Sequence, residues 1–102
     1  MSVRYIFNTS GNYVAFISGD NLFNPDCDWI GFIKNGNEVY SSETLDFMGY
    51  VLDDDRIARK LNDYVKYKPY RPYRPYRPYR PYKPYRRMRM YRLPYPYEDI
   101  FE

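Results

Sequence analysis

Short apolar segments alternate with short polar ones from residue 5 to residue 67, and the alternation runs through four copies of one weak pattern. Tyr5-Ile6-Phe7 is followed by Val14-Ala15-Phe16-Ile17, and Asn21-Leu22-Phe23 by Ile30-Gly31-Phe32-Ile33. Glu38-Val39-Tyr40 is followed by Met48-Gly49-Tyr50-Val51, and Arg56-Ile57-Ala58 by Val65-Lys66-Tyr67. Phe7 to Val14, Phe23 to Ile30 and Ala58 to Val65 are each seven residues, whereas Tyr40 to Met48 is eight. The third copy therefore holds one extra residue. Fixed-period similarity of this kind is a fold-level signal.

Each copy reads as a strand, a polar turn and a second strand. The apolar segments are aromatic and branched, as strands favour. Turn residues separate them at Ser10-Gly11-Asn12, Pro25-Asp26, Ser41-Ser42-Glu43 and Asn62-Asp63. Further turns join the copies at Ser18-Gly19-Asp20, Asn35-Gly36-Asn37 and Asp53-Asp54-Asp55. About eight evenly spaced short strands predict an all-β head: four hairpin-like repeats in a small closed or nearly closed antiparallel sheet. Alternation puts Val14 with Phe16, Ile30 with Phe32 and Met48 with Tyr50 on one face. Ala15, Gly31 and Gly49 fall on the other, with Ile17, Ile33 and Val51. A small residue at one slot in three copies predicts a close backbone approach or a tight bend. Over residues 55–65 a helix competes with the strand, because Ile57, Leu61, Tyr64 and Val65 also recur at helical spacing. The repeat favours the strand.

The pattern changes after residue 67. Six triplets run from Lys68-Pro69-Tyr70 to Lys83-Pro84-Tyr85. Proline removes a backbone donor and extends the residue before it, so the segment predicts a polyproline II-like tail. With three residues per turn and about 3.1 Å per residue, each residue type forms its own ladder with steps of about 9 Å. The chain thus divides into a four-repeat β domain at 1–67, an Arg/Pro/Tyr low-complexity tail at 68–92 and an acidic, aromatic end at 93–102.

Charge follows that division. Residues 1–65 carry 5 basic and 10 acidic side chains, and residues 66–102 carry 11 and 3, so a net +3 conceals an acidic head and a basic tail. The single cysteine, Cys27, excludes an internal disulfide and sets a reducing, cytoplasmic compartment as the expectation. The absence of histidine removes the usual catalytic base and the commonest metal ligand. No signal peptide and no transmembrane segment are expected.

The four copies resemble the bacterial four-fold beta flower family, whose repeat is a strand ending in an aromatic, a turn with a central glycine, then apolar–Gly/Ala–aromatic–apolar. Val14-Ala15-Phe16-Ile17, Ile30-Gly31-Phe32-Ile33 and Met48-Gly49-Tyr50-Val51 fit the last part. The likeness covers about residues 3–67 and the style of the tail. It departs at the central turn slot, which holds Gly11 but then Cys27, Thr44 and Asn62, and in the fourth copy, which lacks the Gly/Ala–aromatic pair. The resemblance implies a fold and brings no activity, cofactor or site residue with it.

Nothing reactive converges in the sequence, so no catalytic residue, metal ligand or cofactor is expected, and the chain reads as a non-enzyme. Asp53-Asp54-Asp55 reads as a solvated turn before a cation site. Glu38, Glu43 and Asp46 read as a charged strand edge before an acid–base pair. Cys27 lies between Asp26 and Asp28, which disfavours a thiolate nucleophile. Trp29 reads as core before an exposed platform. The tail carries the stronger signal. Arg71, Arg74, Arg77, Arg80 and Lys83, extended by Arg86, Arg87, Arg89 and Arg92, offer cations to phosphates. Tyr70, Tyr73, Tyr76, Tyr79, Tyr82 and Tyr85 offer rings to bases. The first reading is therefore an interaction module binding nucleic acid or another polyanion without sequence preference. The alternative is a structural or scaffold protein whose tail contacts its own acidic head or a protein partner. Other readings are a stiff spacer, a proline-rich ligand through Pro72, Pro75 and Arg77, or a tolerated repeat without a role. Homo-oligomers would cover open strand edges.

Overall fold

The structure is a computed structural model that describes residues 3–61 and 68–101. Eight strands form one antiparallel meander: β1 (Val3–Phe7), β2 (Tyr13–Ser18), β3 (Asn21–Phe23), β4 (Trp29–Lys34), β5 (Glu38–Ser41), β6 (Phe47–Val51), β7 (Ile57–Lys60) and β8 (Tyr97–Asp99). Each pairs with the next, and the sheet curls into a half-barrel within a disc 36 × 36 × 19 Å. No helix is present among the described residues, and none is long and apolar enough to cross a membrane.

The copies fold as the pattern predicts through β6. Ile6, Leu22, Val39 and Ile57, one from each copy, meet with Ala15 in a fully buried centre flanked by Val51. The other face carries aromatic pairs between copies: Phe16 on Phe23 at 5.3 Å and Phe32 on Tyr40 at 5.8 Å, both stacked. Trp29 is half-buried and packs against the Phe16–Phe23–Cys27 cluster. Its Nε1 has no hydrogen-bond partner among the described residues.

Three details correct the expectations. Alternation put Val14, Ile30 and Met48 on the face of Phe16, yet all three pack against the central cluster. The register explains this. Ile6 faces Ala15 and Phe7 faces Tyr13, so Val14 has no opposite residue; Ile30 and Met48 repeat that bulge. An added residue re-aims the side chain. Second, the left-handed turn position of the third copy is Leu45 (φ 65°), not Thr44; it matches Gly11 (φ 89°) and Cys27 (φ 68°). The extra residue shifts that slot by one: Leu45 N–H donates to Ser41 O, four residues back, where Gly11 and Cys27 reach three.

Third, the eighth strand comes from the C-terminal end. Residues 57–60 are strand, not helix, and β8 pairs with them as Ala58↔Asp99, Arg59↔Glu98 and Lys60↔Tyr97. The expected second strand at 65–67 lies outside the described residues. Ile100 and Phe101 pack on the central cluster behind β8. The fourth hairpin thus encloses the whole Pro/Tyr/Arg segment as its connection.

The small-residue slot has the predicted cause. A Cβ built on Gly31 would lie 2.7 Å from Tyr40 O, and one on Gly49 would lie 2.6 Å from Ala58 O. In both, a carbonyl of the paired strand, which belongs to the following copy, occupies the space that a side chain would take.

Candidate interaction surface

The triplet segment runs along the head as a belt and passes the hairpin turns in reverse order. At the third turn, Arg71 Nε donates to Ser42 O (3.0 Å) and Nη2 to Glu43 O (2.6 Å), while Lys68 pairs with Asp46 (3.2 Å). At the second, Arg77 donates to Asp26 O (2.6 Å) and lies 3.5 Å from Asp28, and Arg80 reaches the Asp26 carboxylate (3.3 Å). At the first, Arg86 donates to Ser10 O (3.3 Å). There the backbone joins in: Arg87 N–H donates to Gly11 O (2.9 Å) and Met90 N–H to Thr9 O (2.8 Å). A Cβ on Gly11 would sit inside the Arg87 carbonyl, so glycine here admits the belt as well as the turn.

The belt ends at a polar junction. Buried Arg56 holds Asp54 through Nε (2.9 Å) and Nη2, and its Nη1 donates to Thr9 Oγ1 (3.1 Å) and Tyr91 O (2.7 Å). Thr9 in turn donates to Asp99 of β8 through its N–H (2.8 Å) and its hydroxyl. Arg87 lies 4.1 Å above the Phe7 ring and pairs with Asp55 (2.8 Å), which also pairs with Arg4 (2.7 Å). Two of the three consecutive aspartates are therefore taken by guanidinium groups. Among the described residues no group of three acidic or cysteine ligands could hold a metal ion.

Burial pushes the Asp55 carboxyl up, but the hydrogen bonds and charges of Arg4 and Arg87 outweigh it and hold it below the usual carboxylate range. A carboxyl depressed in the folded state contributes stability fully above its unfolded value, about 3.9, and loses it as pH falls through the native value. Asp55→Asn is expected to shrink the drop in melting temperature between pH 7 and pH 3. An unchanged drop would show that the Arg4–Asp55–Arg87 group contributes nothing.

The triplet phase sorts the side chains. Pro69, Pro75, Pro78, Pro81 and Pro84 are half-buried, while the cations and tyrosines are exposed. Tyr70, Tyr73, Tyr76, Tyr79, Tyr82 and Tyr85 are 95–99% exposed, so the full ladder of rings faces solvent. The expected cation ladder is divided. Arg71, Arg77, Arg80, Arg86 and Arg87 engage the head, whereas Arg74, Lys83, Arg89 and Arg92 have no partner among the described residues. Arg74 and Lys83 are the cations that fall between turns.

Sequence reasoning identified the ladder residues but missed their receivers: the carbonyls of Ser10, Asp26 and Glu43, the glycine at 11, and Arg56. Opposite net charge in the two parts was the only signal for these contacts. Backbone acceptors leave no mark in composition.

A family model described as 4-fold beta flower protein matches residues 4–97, a span that passes through the triplets into β8. No curated protein and no solved structure matches the chain.

Proposed function

The chain belongs to the 4-fold beta flower family, and from that premise we propose that it is a non-enzymatic interaction module that binds single-stranded nucleic acid or another flexible polyanion along the outer side of its belt. One observation carries the reading: the six tyrosines from Tyr70 to Tyr85 are 95–99% exposed, and Arg74, Lys83, Arg89 and Arg92 in the same belt have no partner among the described residues. Exposed rings stack on bases of any identity, and these four cations meet phosphates. Steps of about 9 Å exceed the spacing of successive nucleotides, so the contact is loose and sequence-independent. A cytoplasmic setting accords with the lone buried thiol of Cys27.

The test is a salt titration of oligothymidylate binding. Replacing Arg74, Lys83, Arg89 and Arg92 by Gln is expected to weaken binding at least tenfold in 0.1 M salt. It should also flatten the log–log salt slope by about 3, given about 0.7 per phosphate contact on a single strand. Wild-type binding that stays equally strong in 0.5 M salt would overturn the proposal.

A second reading is favoured by the hydrogen bonds from Arg71, Arg77 and Arg86 to turn carbonyls. In it the protein is a scaffold and the belt belongs to its own fold. Absence of binding at every salt concentration would leave this reading standing.

A further inference from the structure

The three belt contacts to turn carbonyls share one geometry. Ser10, Asp26 and Glu43 each stand two residues after the first turn residue, Asn8, Asn24 and Ser41. Each carbonyl accepts Nη2 of one arginine: Arg86, Arg77 and Arg71 in turn. The head thus presents the same acceptor at three successive corners of its rim. The arginines that fill these sites are separated by two and three whole triplets, so all lie on one edge of the extended rod. From Arg71 to Arg86 the rod covers about 47 Å at about 3.1 Å per residue. The straight path through three corners of a four-fold disc 36 Å across is about 51 Å, and the arginine side chains can span the difference.

We propose that the rim of hairpin turns is a peptide-binding surface for an extended arginine–proline ladder, occupied by residues 68–87 of this chain, and that the number of triplets is matched to the distance between corners. The period of three keeps each arginine in phase with the rim. The total length lets Tyr97–Asp99 arrive beside Ile57–Lys60. Arg74 and Lys83 bridge the gaps and contribute nothing to docking. The inference concerns docking in cis and stands whether or not a polyanion binds.

Amide hydrogen exchange of the full chain tests it, read at Arg87, Met90 and Ile100, whose N–H groups donate to Gly11 O, Thr9 O and Ile57 O. The double variant Arg71→Gln/Arg77→Gln should speed exchange at Arg87 and Met90 at least tenfold. The double variant Arg74→Gln/Lys83→Gln, which removes the same charge, should stay within threefold of wild type. Deleting residues 74–76 should free all three amides, and inserting one more triplet after Tyr79, which lengthens the span between Arg77 and Arg86, should speed exchange at Arg87 and Met90 at least threefold; a silent insertion would overturn the match in length. Equal effects from the two double variants would overturn the proposal, as would no effect from either. A silent triplet deletion would do the same. If the deletion prevents folding, the paired point variants still decide.

Discussion

Gly31→Ala and Gly49→Ala are each expected to destabilise the fold by about 1–3 kcal/mol, the range for forcing a methyl into a filled interior. The obstacle is backbone: Tyr40 O at 2.7 Å from the added carbon in one case and Ala58 O at 2.6 Å in the other. A side chain could swing away, but a carbonyl fixed in a strand moves only with its sheet. The first copy holds Ala15 in the same slot, fully buried, so a methyl is accommodated there. Urea unfolding measures the cost. Variants within 0.5 kcal/mol of wild type would mean that the copies slide apart freely. The double variant would lose about 2–6 kcal/mol, a large share of a total stability of about 5–15 kcal/mol.

Replacing Arg56 by Met should cost about 2–3 kcal/mol and release the far end of the belt. Breaking a buried ion pair costs about 3–5 kcal/mol. The lower figure applies because the Asp54 side chain is 44% exposed and can be rehydrated. Tyr91 O would lose its donor, and the Thr9 hydroxyl would lose the Arg56 guanidinium, while its own bond to Asp99 of β8 would remain. Arg56→Lys should recover little, since one ammonium cannot hold Asp54 through two nitrogens while reaching Thr9 and Tyr91. The check is a urea midpoint together with exchange at Met90. A large loss of stability with Met90 still protected would separate the core role of Arg56 from its hold on the belt.

The hairpin copies and the slot for Ala15, Gly31 and Gly49 were legible because each follows from alternation within a few residues, whereas the central place of Ile6, Leu22 and Val39 emerged only from the packed sheet. The bulges at Val14, Ile30 and Met48 were not. A bulge appears only when two strands are set side by side, and an alternating sequence gives no warning of it. Leu45 was misplaced for a related reason: counting located the extra residue, while the turn's hydrogen bonds decided which residue took the left-handed angle. For the candidate surface, all six tyrosines of the ladder are exposed. For the cations the sequence left polyanion contact and contact with the acidic head both open, and five of the belt arginines turn toward the head.

By itself the chain's order of residues determined the repeating hairpins and the sorting of proline, cation and tyrosine onto separate edges. Both arise from torsion angles and side-chain directions that neighbouring residues impose on one another. Only the tertiary structure decided which segment completes the fourth hairpin and which cations remain outward. An unpaired strand accepts whichever partner brings an apolar pair to the centre, and Ile100 and Phe101 do so from the far end of the belt. Contacts between residues dozens of positions apart depend on where the whole disc places its turns, and no local pattern carries that distance.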